Sequence, residues 1–340
     1  MTADNSRHGL PPRPPSDAPL DAWRNYADEL EAVIAAGEHR AEFLQQRLNH
    51  IVTSPAWKLM RKARGLLPAR PGRKGARKEE PAATPLLQPA IRGEPLVSIL
   101  IPFRDGAALL ARCLRSIRDK TSYRHYELIL IDNGSVEKRT QKLLAREKDA
   151  PGVTVVRADE PFNFARLNNR GAAAARGECL LLLNNDIEVL APDWLAAMLE
   201  HCTRPEVGAV GAKLLYPDGR IQHAGVTVGK DDIAAHAFHL CPADEPGAQT
   251  VRNCSAVTGA CLMTRKQLYH ELGGLNETDL PVAYNDIDYC LRLREKGLLV
   301  VYTPRAELLH RESASRSVVN DPREAAYMCR RWAKAILAGM

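Results

Sequence analysis

VSILIPFRDGAALLARCLRSIRDKTSYRHYELILIDNGS, residues 97–135, decides the fold. Val97–Ile101 is a short, almost wholly apolar run, the pattern of a strand buried on both faces. Gly106–Lys120 then changes period. Leu109, Leu110, Cys113, Leu114 and Ile117 fall three and four apart, on one face of a helix. Tyr126–Ile131 returns to a buried strand. Two strands joined through a helix of this length pair in parallel, because the crossover carries the chain back to its starting edge.

Downstream, the alternation continues. Lys138–Lys148 reads as a helix, Val153–Arg157 as a strand, Phe164–Arg176 as a helix and Cys179–Leu183 as a strand. Strands separated by helices of ten to fifteen residues predict an α/β fold: a Rossmann-like, mostly parallel sheet with helices on both faces.

Upstream, the texture is different. Pro81, Pro85, Pro89 and Pro95 mark a boundary near residue 94, which separates a domain at 95–340 from a basic, Pro-rich linker at 53–94. Within that linker, residues 58–78 hold nine Lys/Arg and no acid. These nine exceed the net charge of +6, so the rest of the chain is net acidic. Trp57, Leu59, Met60, Leu66 and Leu67 accompany the charge. A segment of this kind can lie on an anionic membrane surface through residues 57–78, or it can be a solvated linker. One aromatic is too few for base stacking, so no nucleic-acid partner is expected.

Residues 20–52 carry a stripe at 4-3 spacing: Trp23, Ala27, Leu30, Ile34, Gly37, Ala41, Leu44, Leu48 and Ile51. It suits a short coiled coil, with 23–51 as a homo-oligomer seam, or one amphipathic helix docked on its own domain. Residues 1–19 are polar and Pro-rich and read as disordered. No run approaches a membrane span and no secretory signal is visible. The eight cysteines lack any CxxC spacing. Reduced thiols in a cytoplasmic protein, soluble or peripheral on the inner face of the cell membrane, are therefore expected.

Ligands of such sheets bind beyond the carboxyl ends of the strands. Strand one is followed by Pro102-Phe103-Arg104-Asp105-Gly106, strand two by Asp132-Asn133-Gly134-Ser135 and strand four by Asn184-Asn185-Asp186. Neither GxGxxG nor GxxxxGK[ST] follows strand one. A site built on acids instead of glycine-rich phosphate loops suggests that a metal neutralises the ligand's phosphates.

VSILIPFRD, ELILIDNGS, ARLNNRGAAAARGECLLLLNNDIEV, SAVTGACLMTRKQLYHELGGLNE and AYNDIDYCLRLREKGLLVVYTPRAELLHRESASR, in this order over about 95–318, resemble family 2 glycosyltransferases, the inverting GT-A group. SPAWKLMRKARGLL also looks like segments that precede this domain in bacterial surface-polysaccharide transferases. The resemblance implies a GT-A fold, a nucleotide-sugar donor, a divalent metal (Mn²⁺ or Mg²⁺) and a glycan or lipid-linked acceptor.

It implies, too, that Pro102, Phe103, Asp105, Asp132, Asn133 and Asn185 bind the donor. Asp186 would bridge metal and diphosphate, His310 would complete the metal shell, Arg316 would meet the diphosphate and Asp286 would be the catalytic base. Asn184 and Asn185 stand where an acid is usual, leaving Asp186 as the one charged ligand of that motif, and Asn285 replaces the usual acid before the base. The helix after the base is expected at Tyr289–Lys296, with Asp288 as its N-terminal acid. Processive members carry membrane spans and QxxRW; here Met328 precedes Arg331-Trp332, which implies transfer of one or a few sugars. The alternative is a catalytically weakened GT-A scaffold acting through the 4-3 stripe.

Overall fold

The computed structural model describes residues 93–229, 233–311 and 321–338. The expectations placed on residues 1–92 (disordered start, 4-3 stripe, basic linker) lie outside the described residues, as does Arg316.

The N-terminal half is the predicted alternation: β1 (Val97–Phe103), α1 (Ala107–Lys120), β2 (Tyr126–Asp132), α2 (Lys138–Lys148), β3 (Val153–Arg157), α3 (Phe164–Ala174) and β4 (Cys179–Leu183). β1 is buried along its whole length and pairs in parallel with β2 and β4, and β2 pairs in parallel with β3. A run such as Ile99-Leu100-Ile101, each fully buried, stabilises the sheet by about 2 kcal/mol per side chain. α1 stops at Thr121, whose N–H bonds to Ile117 O, and Arg118 and Lys120 in its last turn face the negative end of the helix dipole.

The second half is mixed. It comprises β5 (Ile187–Val189), α4 (Trp194–Cys202), β6 (Val207–Leu215), β7 (Ile221–His223), β8 (Val226–Thr227), β9 (Ala235–His236), β10 (Arg252–Asn253), β11 (Cys261–Arg265), α5 (Lys266–Glu271), α6 (Asn285–Glu295), β12 (Leu299–His310), α7 (Pro322–Arg331) and α8 (Ala333–Ala338). The main sheet runs β10-β12-β6-β11-β4-β1-β2-β3, with β5 on β12 and β7 on β6. β11 enters antiparallel between β4 and β6, so the mostly parallel sheet is interrupted there; β12 then runs parallel to β6.

Each face of the sheet has its own core. Leu110, Leu114 and Ile117 of α1, Leu143 of α2 and Trp194 and Met198 of α4 pack on one face. Leu167 of α3, Leu268 of α5, Tyr289 and Leu293 of α6, Met328 of α7 and Ile336 of α8 pack on the other. Gly211 in β6 is needed for a close approach: a Cβ there would stand 2.4 Å from Val257 Cβ. Without a side chain at 211, the segment ahead of β11 can lie directly on the sheet. All eight cysteines are free thiols, and burial pushes those of Cys113, Cys261 and Cys290 far up, so they act as core residues.

Candidate active site

At the ends of β1 and β2 the polar groups are spent on one another. Asp105 adopts a left-handed backbone (φ 54). Its Oδ1 accepts from Val136 N and Glu137 N, both at 2.8 Å, and its own N–H donates to Ser135 Oγ at 2.8 Å. It therefore ties the loop after β1 to the start of α2. Asp132 is buried and accepts from Ser135 N at 2.8 Å and from Arg157 Nη1 at 2.5 Å.

Asn133 donates through Nδ2 to Ala158 O and Glu160 O, while its buried Oδ1 has no hydrogen-bond donor. Pro102 and Phe103 are the last residues of β1; both are buried, Phe103 in the core beneath α1. Of the expected donor-binding residues at the ends of these two strands, Asn133 alone keeps an unmet buried polar atom.

The edge of β4 is built differently. β5 pairs antiparallel with the end of β12, His310 opposite Ile187, and Arg311 N donates to Asp186 O at 3.2 Å. This register brings Asp186 and His310 together across more than a hundred residues of sequence. His310 Nδ1 stands 2.6 Å from Gln222 Oε1 on β7. An amide oxygen only accepts, so in the neutral ring the proton lies on Nδ1 and Nε2 presents a lone pair. That Nε2 faces Asn184 Nδ2 at 3.2 Å and Asp186 Oδ1 at 3.1 Å.

Asp186 is buried, and its Oδ1 has no hydrogen-bond donor. Nε2 already accepts from Asn184 Nδ2, so Asp186 Oδ1 is the acceptor left unmet beside it, a buried anion that a cation would satisfy. Asn185 is buried between these two residues of the motif. Among the described residues no group of three or more His, Cys, Asp or Glu side chains is placed to hold a metal. Asp186 and His310 fit a divalent metal as a pair that would supply one oxygen and one nitrogen ligand.

Asp286 lies in the first turn of α6, which starts at Asn285 and not at Tyr289 as the sequence suggested. The start is set from outside the helix. Tyr284 takes a left-handed conformation, and Glu324 of α7 accepts the N–H groups of Val282 (3.3 Å) and Ala283 (2.5 Å). Asp286 accepts through Oδ2 from Gly259 N at 2.7 Å and through Oδ1 from Ile287 N at 2.8 Å. Burial pushes its carboxyl above the ordinary carboxylate range. The two backbone N–H groups and nearby His236 pull the other way without cancelling the rise. Asp288 points elsewhere: it is buried, paired with Arg292 at 2.8 Å and bonded by Trp332 Nε1 at 2.9 Å.

The turn 258–260 joins the two parts. Gly259 N holds Asp286, and one residue on, Ala260 O accepts Asn184 N at 3.1 Å. A continuous chain of contacts therefore runs Asp286, Gly259-Ala260, Asn184, His310, Asp186. Sequence reasoning missed Gln222 and Glu324 as supports of this chain, and no local pattern marks them. It also left His223 and His236 without a part. They meet Nδ1 to Nδ1 at 2.8 Å, and His223, fully buried, has its pKa driven far down by desolvation.

The family model of glycosyl transferase family 2 matches residues 98–273. A protein of Sinorhizobium fredii, y4gI, is 47% identical over 254 residues, covering 71% of this chain and 28% of its own length. The O-antigen biosynthesis protein RfbC of Myxococcus xanthus is 43% identical over 231 residues, 66% of this chain and 18% of its own. The chain thus spans less than a third of each of these two relatives. The N-acetylglucosaminyl-diphospho-decaprenol L-rhamnosyltransferase of Mycobacterium tuberculosis is 25% identical over 230 residues, 61% of this chain and 73% of its own.

Among solved structures, GalNAc-T7 with UDP, GalNAc and Mn²⁺ has a TM-score of 0.55 at 18% identity, over 65% of this chain and 44% of its own. The mannosyltransferase PcManGT of Pyrobaculum calidifontis, with GDP-Man and Mn²⁺, has a TM-score of 0.51 at 18% identity, over 83% and 71%. These two likenesses bear on the fold alone. The matched model covers more than half of the sequence and includes the ends of β1, β2 and β4, and on that ground the chain belongs to glycosyl transferase family 2.

Proposed function

We propose that the protein is a metal-dependent, inverting and non-processive glycosyltransferase that moves a sugar from a nucleoside-diphosphate donor to a glycan or lipid-linked glycan in cell-surface polysaccharide synthesis. The observation that carries this reading is the turn 258–260, which holds Asp286 by one residue and the Asn184–His310–Asp186 cluster by the next. The O-antigen and rhamnosyl assignments of two relatives support the substrate class.

In this reading Asp286 takes the proton of the acceptor hydroxyl as that oxygen bonds to the anomeric carbon. The bond from that carbon to the diphosphate breaks, and its electron pair leaves with the nucleoside diphosphate. One displacement on one face inverts the configuration, so a single carboxylate suffices. Gly259 N and Ile287 N fix the orientation of Asp286, and burial raises its proton affinity. A divalent metal held by Asp186 and His310 would neutralise the departing diphosphate as a Lewis acid. Gln222 orients His310 from behind, and Arg316 is assigned to the diphosphate on the sequence alone.

The test is nucleoside-diphosphate release from UDP-, dTDP- and GDP-sugars with Mn²⁺, Mg²⁺ or EDTA, with wild type beside Asp286→Asn. Metal-dependent turnover of one donor, reduced about a thousandfold in the variant, is expected. Folded protein that binds no nucleoside diphosphate in Mn²⁺ would sink the reading and leave a GT-A scaffold.

A further inference from the structure

The charge of the described domain is not spread evenly. Residues 95–340 contain 32 Lys/Arg and 30 Asp/Glu, close to balance. α1 and α2 alone hold nine Lys/Arg against two acids, Asp119 and Glu147. The remainder of 95–340 is therefore net acidic, and the positive charge is concentrated on two adjacent helices of one sheet face. Glu147 is itself consumed by Arg118 and Arg146.

Between the two helices runs a shallow groove of about 420 Å³. Its floor includes Ala111 and Leu143, and its rim carries Arg115, Arg139, Lys142 and Arg146. All four cations are exposed, and Arg115, Arg139 and Lys142 make no ion pair among the described residues. An apolar floor rimmed by long cationic side chains suits the boundary between acyl chains and anionic headgroups, where the stems pack and the charges stay wet.

We infer that the α1–α2 face docks on an anionic phospholipid surface. Charge complementarity selects this occupant: long flexible cations on a helix pair with no aromatic among them match a diffuse negative plane better than stacked bases. The contact is distinct from the basic segment at 57–78 and independent of the proposed reaction. With a lipid-linked acceptor, it would keep the domain at the surface where that substrate lies.

The test is flotation of the full chain with phosphatidylcholine–phosphatidylglycerol vesicles. The double variant Arg139→Glu/Lys142→Glu would be compared with Arg330→Glu/Lys334→Glu, an equal charge change on helices packed against the opposite sheet face. Residues 57–78 are present in both, so their contribution cancels. The first variant is expected to lower the partition constant by about twenty-five-fold or more, at about fivefold per cation removed, and the second by much less.

Equal losses in the two variants would mean that net charge alone matters, and unchanged partitioning in the first would mean that the groove touches no membrane; either result overturns the inference. Loss of single-stranded RNA retention in the first variant, with vesicle partitioning intact, would overturn it in favour of a nucleic-acid face. Because flotation needs neither donor nor acceptor, its outcome does not depend on whether the protein transfers sugar.

Discussion

At the ends of β1 and β2, Asp105 holds two backbone amides through Oδ1, and Asp132 holds a backbone amide through one oxygen and an arginine through the other. At the end of β4, Asp186 Oδ1 faces His310 Nε2 across 3.1 Å with no donor of its own, and in the first turn of α6 burial raises the carboxyl of Asp286, the proposed base. Both regions place acids at strand or helix ends, yet the first uses them as loop fasteners. The second leaves Asp186 Oδ1 without a donor and buries Asp286, itself held by Gly259 N and Ile287 N, deeply enough to raise its proton affinity. Burying an unmet acceptor costs about 1–3 kcal/mol, a cost that a ligand on Asp186 Oδ1 would remove. The comparison supports the proposal that the chemistry lies in the second region, while the first, apart from the unmet Oδ1 of Asn133, holds its own loops.

The largest expected effect concerns Asp286. A base must be ionised, and a carboxyl raised by burial protonates at a higher pH than an ordinary one. Activity is therefore lost as pH falls through a value above the usual carboxylate range, about tenfold per pH unit below the limb. A kcat/KM profile checks this; an acid limb at or below an ordinary aspartate's value would place the base elsewhere.

Asp186→Ala comes next. Turnover should fall by roughly a hundred- to a thousandfold and Mn²⁺ affinity should collapse, while thermal stability holds or improves, since an unmet buried acceptor is removed. Metal titration together with a melting curve reads both. A large fall in Tm with metal affinity retained would make Asp186 a fastener like Asp105. Gln222→Ala should weaken metal affinity about ten- to a hundredfold by freeing the His310 ring, with Gln222→Glu restoring most of it because the acceptor returns. Equal affinity in wild type and Gln222→Ala would detach β7 from the site.

The opposite signature is expected of Asp105→Ala. Losing two accepted N–H bonds at the start of α2, and placing alanine at φ 54, should cost about 2 kcal/mol, or about 4–8 °C in Tm. Nucleotide affinity in the folded variant should change by no more than about threefold. A loss of affinity without a loss of Tm would return Asp105 to the donor-binding set in which the family resemblance places it.

How much of this is legible in the sequence depends on the range over which each feature is determined. α2, β3 and β4 match their expected bounds residue for residue, because apolar period, helix length and crossover topology are local properties of the chain. β5 and β10 are two or three residues long and exist only by pairing with β12, about fifty residues away or more, so no window of sequence contains them. The start of α6 was missed for the same reason: Asn285-Asp286-Ile287-Asp288 reads as a loop until Glu324, from another helix, fixes the two residues before Tyr284. Asp186 and His310 came from family resemblance, whereas their contact comes from β5–β12 register, and Gln222 carries no signal that precedes the fold.

Trp332→Phe should have the smallest effect, and it tests whether the C-terminal helices belong to the chemistry or to the scaffold. The indole N–H bonds to Asp288 Oδ1, both groups being buried, while Arg292 remains on Oδ2. Phenylalanine keeps most of the ring packing and loses the donor, which should cost about 1 kcal/mol and about 2–4 °C in Tm. Side chains two positions apart on a helix face different directions. Asp288 therefore turns toward Trp332 while Asp286 turns toward Gly259, and a disturbance at the first should reach the second weakly: kcat should fall by no more than about threefold. A fall in kcat beyond tenfold with Tm unchanged would mean that α7 and α8 set the orientation of the base, and the boundary between fastener and reactive group would then run through α6 and not between the two edges of the sheet.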